Sequence, residues 1–165
     1  MDLQAYQDFI VEYSGTYGLP DSIACQTVRL GLMGESGEVI EWIKKSLRDG
    51  TTDTTALKAE LGDVLAYFFL ILKDMGIYAP EISNVEYFDD IPLERPHLYC
   101  ARKLYSAVDS FLRWEYPPHA RDVLTAIKRI AFLYDIVFED IVQCNWDKLS
   151  KRLTEGKQRG SGDNR

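Results

Sequence analysis

Apolar residues recur at helical spacing along almost the whole chain, and no run alternates apolar with polar residues between hairpin turns as a strand does. That periodicity restricts the fold class to all-α. Leu3, Tyr6, Ile10, Tyr13 and Tyr17 mark a first helix over about residues 3–17. "GLPDS" then breaks the chain and offers Asp21 or Ser22 as an N-cap. A second helix is expected over about 23–47, bent near its glycines, and a third over about 55–75, capped by Asp53 or Thr54 and closed by Gly76. A long connection with three prolines, Ile77–His97, precedes a fourth helix over about 98–114. After the stop at "EYPPH" a fifth covers about 120–138, and a last one runs to about Leu153. Residues 1–155 are read as one domain and 156–165 as a polar, glycine-rich tail.

The second helix carries a feature that propensity alone does not explain. Gly31, Gly34 and Gly37 fall three apart in "GLMGESGEVIEWIKK", with Glu35 and Glu38 among them. Each interior glycine costs a helix about 1 kcal/mol relative to alanine. On the third helix Glu60 and Asp63 repeat the i,i+3 spacing of Glu35 and Glu38, so each pair shares one helix face. Glu38 lies nine residues before Leu47 and Asp63 nine after Thr54. Both pairs therefore stand about 13–14 Å from the connecting loop and meet at one level across an antiparallel hairpin. Four converging carboxylates repel and resist desolvation. Hard divalent cations relieve that, because Mg²⁺ and Mn²⁺ prefer oxygen ligands, and Mg²⁺ completes its shell with water or substrate phosphate. Gly34, Ser36, Gly37 and Gly62 are expected to let a backbone or a phosphate approach closely. The bland alternative is two solvated acidic helix turns, which an isolated Glu-x-x-Glu usually is.

Composition narrows the partners. Acids outnumber bases 26 to 19, a formal net charge of −7, which argues against non-specific binding to nucleic acid or to an anionic membrane. The longest strongly apolar run, Val64–Leu72, is nine residues and too short to span a bilayer. "MDLQAYQDFI" lacks the basic and apolar regions of a signal peptide, and Cys25, Cys100 and Cys144 form no CxxC pair, so a reduced, cytoplasmic protein is expected. His97 and His119 neighbour prolines without zinc-ligand spacing, no serine sits in a nucleophile elbow, and no phosphate-binding GxxxxGK[ST] loop is present. "DVLAYFFLILKDMGIYAPEI" (Asp63–Ile82) echoes "DVLTAIKRIAFLYDIVFEDI" (Asp122–Ile141) in apolar phasing, with His119 falling where Glu60 sits. Two helical hairpins of similar length could thus pack as a four-helix bundle within one chain. Chance likeness between amphipathic helices is the competing explanation.

The motifs "GLMGESGEVIEWIKKSLRDG" (Gly31–Gly50) and "ELGDVLAYF" (Glu60–Phe68) resemble those of the MazG-like all-α nucleoside triphosphate pyrophosphohydrolases, relatives of the dimeric dUTPases. "LQAYQ" (Leu3–Gln7) resembles the family's first helix, and "NWDKLSKR" (Asn145–Arg152) with "GSGDNR" (Gly160–Arg165) its C-terminal motif. The resemblance implies a MazG-like four-helix-bundle core with an inserted helical hairpin at about 83–136. It also implies Mg²⁺, or Mn²⁺ in its place, held by Glu35, Glu38, Glu60 and Asp63. The implied reaction is hydrolysis of the α–β phosphoanhydride of nucleoside triphosphates, deoxy or non-standard ones among them, to monophosphate and pyrophosphate. Glu38 or Glu60 would orient or deprotonate the attacking water. Lys44, Lys45, Asn145, Lys148 and Arg152 would contact the nucleotide, with Arg165 on the tail as a covering group. Trp42 or Tyr67 could stack on a base, although core packing is the commoner role. A homo-oligomer, a dimer first, is implied as well. Two alternatives stay open: a dUTPase- or dCTPase-like enzyme with one preferred base, and a helical regulatory module that binds nucleotide or metal without turnover.

Overall fold

A computed structural model describes residues 2–15, 21–82 and 90–157. Seven helices account for it, in the order α1 (Leu3–Gly15), α2 (Asp21–Asp49), α3 (Thr55–Asp74), α4 (Ala79–Ile82), α5 (Pro96–Trp114), α6 (Pro117–Leu133) and α7 (Phe138–Thr154). No strand occurs among the described residues, as the apolar periodicity requires. The tail positions 158–165, including Arg165, and residues 16–20 lie outside the described residues.

Helix α3 is the axis of the molecule. Leu57, Leu61, Val64, Leu65, Phe68, Phe69, Ile71 and Leu72 are all fully buried on it, which is why its apolar run is nearly continuous. Fully burying each such side chain contributes about 1.5–3 kcal/mol. α2 packs antiparallel along α3, α1 and α7 cover its other flank, and the α5–α6 hairpin closes against α2. Phe68 meets Phe111 of α5 edge-on at 5.3 Å, and Tyr6 of α1 meets Phe69 at 5.6 Å. The loop between α2 and α3 is set by its own residues: Gly50 takes φ +69° where its N–H caps Ser46 O, and the Thr55 N–H donates to Asp53 at 2.9 Å. Of the two expected caps, Asp53 therefore supplies the bond, and Thr54 makes no side-chain cap bond.

The two helices of the internal echo, α3 and α6, have similar exits. α3 ends with Met75 N–H on Ile71 O, Gly76 N–H on Lys73 O and Ile77 N–H on Leu72 O. Fifty-nine residues later α6 ends with Tyr134 N–H on Ile130 O, Asp135 N–H on Phe132 O and Ile136 N–H on Ala131 O. Gly76 and Asp135 both have positive φ, +69° and +53°. The two helices thus terminate in the same hydrogen-bonded turn, a common helix exit that α7 also makes at Glu155, Gly156 and Lys157. Only one of the two acids is repeated: where α3 carries Glu60 and Asp63, α6 carries a half-buried His119 and an exposed Asp122, 3.5 Å apart. Arg29 of α2 ties the hairpins together by pairing with Glu115 at 2.6 Å, and His97 Nδ1 lies 3.0 Å from the Tyr134 hydroxyl.

Candidate metal centre

α2 runs as one 29-residue helix through all three glycines, and this continuity brings its acids level with those of α3. One carboxylate oxygen each from Glu35, Glu38 and Glu60 lies within 4.8 Å of the others. Glu35 and Glu60 are half-buried and Glu38 is exposed, so the cluster is a cleft open on one side. Burial, and then the negative charges of Asp63, Glu38 and Glu60, push the Glu35 carboxyl up to about 7, against the opposing pull of Lys148. A group whose charge is opposed by burial and by three acids is stabilised by a cation at that place. The donor set fits a hard divalent ion: oxygens around one Mg²⁺, at about 2.0–2.1 Å each, stand roughly 3–4 Å apart.

Asp63 is placed differently from the other three. Helix α7 takes both of its oxygens: Asn145 Nδ2 donates to one at 2.8 Å, and the Lys148 ammonium pairs with the other. Asp63 is therefore the link between the acid cleft and α7. The resemblance put it simply among the metal ligands, whereas here its charge acts on Glu35 while its oxygens hold the C-terminal helix. Asn145 is 1% exposed, and its Oδ1 accepts from the Tyr6 hydroxyl at 2.8 Å. That places Asn145 and Lys148 at the cleft, with Arg152 a turn beyond Lys148 on the same helix. Lys44 and Lys45 are more than half exposed and both pair with Glu41 of their own helix.

The glycines divide by role. A Cβ on Gly62 would lie 2.7 Å from Asn145 Cβ, so its absence lets α7 approach α3 at Asp63. A Cβ on Gly31 would lie 2.4 Å from the Tyr67 ring, which fixes that ring as packing between α2 and α3. Gly34 and Gly37 have no atom within 4 Å of a built Cβ, so the close approach expected there is not made by any described residue. The Ser36 hydroxyl is turned back onto Leu32 O. Trp42 packs edge-on against Tyr134 at 5.2 Å, a core contact. Sequence reasoning missed two participants on α1. Tyr6 counted only as an apolar-stripe residue. Gln7, 2% exposed, clamps the α3–α4 turn by donating to Ile77 O at 3.0 Å and accepting from Ala79 N–H at 2.8 Å. Their signal was a buried polar side chain beside the apolar stripe of a short helix.

An all-α bundle whose central hairpin carries a three-carboxylate cleft beside a lysine has the oxygen donors that a divalent cation would need next to an anionic substrate. Residues 24–80 match the family model of the MazG nucleotide pyrophosphohydrolase domain, a family of nucleoside triphosphate pyrophosphohydrolases, hydrolases of phosphorus-containing anhydrides. The matched segment holds Glu35, Glu38, Glu60 and Asp63, while α5, α6 and α7 lie outside it. Comparisons with curated proteins and with solved structures returned no match. No helix among the described residues is long and apolar enough to cross a membrane.

Proposed function

We propose that this protein hydrolyses the α–β phosphoanhydride of nucleoside triphosphates, deoxy or non-standard ones in particular, to monophosphate and pyrophosphate, with Mg²⁺ as its metal and Mn²⁺ as a substitute. The observation that carries this reading is the three carboxylate oxygens of Glu35, Glu38 and Glu60 gathered within 4.8 Å. Bound there, the cation would neutralise phosphate charge and lower the pKa of a coordinated water. The chain's own residues supply the rest. Glu38, on the exposed side of the cleft, or Glu60 opposite it, orients the attacking water and takes its proton as the water oxygen adds to phosphorus and the bridging P–O bond breaks. Lys148, already at the cleft through Asp63, presents a cation to the phosphates and Arg152 extends that face, while Asn145, buried with its amide on Asp63 and Tyr6, has only its second amide hydrogen left for substrate. Lys44 and Lys45 reach substrate by leaving Glu41, a change that costs little between exposed groups. A homodimer in the cytoplasm is the setting this reading favours. Catalysis is then chiefly positioning and charge neutralisation in a fixed site.

The test is a panel of canonical and modified triphosphates incubated with and without Mg²⁺, with products identified by phosphorus NMR. Monophosphate and pyrophosphate in equal amounts, formed only with the cation, are expected. Release of orthophosphate, or no turnover of any nucleotide, would remove the assignment.

A further inference from the structure

We propose that Tyr6 is a positioning residue for this site: through Asn145 it fixes the carboxylate of Asp63. The inference rests on the pyrophosphohydrolase reading for its kinetic consequence, but its geometry stands independently. Tyr6 is fully buried on α1, far along the chain from α3 and α7. Its hydroxyl donates to Asn145 Oδ1 at 2.8 Å, with Gly62 O a more distant acceptor at 3.4 Å. The Asn145 amide nitrogen in turn donates to Asp63 at 2.8 Å, and Lys148 holds the other Asp63 oxygen.

A carboxamide has one accepting end and one donating end. With Tyr6 donating to the oxygen, the NH₂ group is delivered to the carboxylate. Turned over, the amide would set its oxygen against Asp63, acceptor against acceptor. The pocket gives the amide little latitude to find a third pose, because Gly62 packs against it without a Cβ and Asn145 is 1% exposed. The buried phenol stays protonated, since burial raises its pKa well above the usual value, so the donor is present at any working pH. Three helices are thereby joined in one directed sequence of donors that ends on the acid nearest in effect to Glu35.

Tyr6→Phe removes the donor and keeps the ring that packs on Phe69. Two readouts test it. The first is proton exchange of the Asn145 side-chain amide in the metal-free protein, followed by nitrogen-edited NMR. At least tenfold faster exchange in Tyr6→Phe is expected, and unchanged exchange would overturn the proposal whether or not the protein turns over nucleotide. The second is the Mg²⁺-dependent rate with triphosphate. A tenfold or larger loss of kcat with KM within twofold is expected in the wild-type background, and less than a twofold loss in an Asn145→Ala background, where the Tyr6 hydroxyl retains only Gly62 O. Equal losses in both backgrounds would mean that Tyr6 serves the core and not Asn145. Inactive wild-type protein would count against the hydrolase reading, and the exchange measurement would then decide on Tyr6 alone.

Discussion

Replacing Gly62 by alanine sets helix propensity against packing. Gly62 is buried in the interior of α3, where alanine is favoured by about 1 kcal/mol. The added Cβ, however, would lie 2.7 Å from Asn145 Cβ, 3.1 Å from its Nδ2 and 3.2 Å from its Cγ, whereas ordinary contact begins at 3.4 Å. The shortfall, 3.4 minus 2.7, is about 0.7 Å, and α7 or the amide must yield by that much. Carried through to Nδ2, it stretches the 2.8 Å bond to Asp63 to about 3.5 Å, beyond useful hydrogen-bond range. Overpacking costs about 1–3 kcal/mol and the lost buried hydrogen bond about 1, against a propensity gain of about 1. A net destabilisation of about 1–3 kcal/mol follows. Gly37 is the control: it lies in α2 with nothing within 4 Å of a built Cβ, so Gly37→Ala should stabilise by up to about 1 kcal/mol. Urea unfolding of the wild type and both variants, with equal m-values as the check on two-state behaviour, measures the difference. Equal stabilisation by the two alanines would refute the packing argument at Gly62.

Cation binding should depend on pH because Glu35, pushed up to about 7 by burial and then by neighbouring acids, gives up a proton to the metal. Mg²⁺ affinity is expected to rise about tenfold between pH 6 and pH 8 and to level off above it; calorimetric titrations showing equal affinity would contradict this. The same shift makes the metal-free fold bind the extra proton between 4.5 and about 7, so its stability should fall as pH rises through that window and recover on adding Mg²⁺. Glu38→Ala and Asp63→Ala should each lower Mg²⁺-dependent turnover at least a hundredfold with helicity retained by circular dichroism, and wild-type rates in both would remove the proposed site. Asp53→Ala should cost about 1 kcal/mol in thermal or urea unfolding, through loss of the bond to the Thr55 N–H.

What could be read from the sequence was whatever depends on residues near one another in it. The helical stripes, the loop chemistry at Gly50 and Asp53 and the levelled acid pairs on α2 and α3 all follow from spacing, and Glu35, Glu38 and Glu60 meet as that spacing requires. The echo between α3 and α6 was visible as apolar phasing, while their matched helix exits are shared with α7 and do not set the pair apart. The role of Asp63 was not legible, because it is set by Asn145 and Lys148, more than eighty residues away, approaching over a glycine. Tyr6 was hidden for the same reason: a tyrosine on an apolar stripe reads as core until the partner of its hydroxyl is known. The glycines of α2 do not interrupt it: with Leu32, Val39 and Ile43 packed in the core, it stays helical from Asp21 to Asp49. Close packing explains the glycines at 31 and 62, while those at 34 and 37 have no packing role among the described residues.

The most direct measurement is anomalous scattering from crystals soaked in Mn²⁺. A single strong peak, or a close pair, is expected between the α2 and α3 carboxylates, within bonding distance of oxygens from Glu35, Glu38 and Glu60, and absent from Glu60→Gln crystals. Fully occupied metal elsewhere, with these three side chains bound only to water, would contradict the proposed centre and the hydrolytic chemistry built on it.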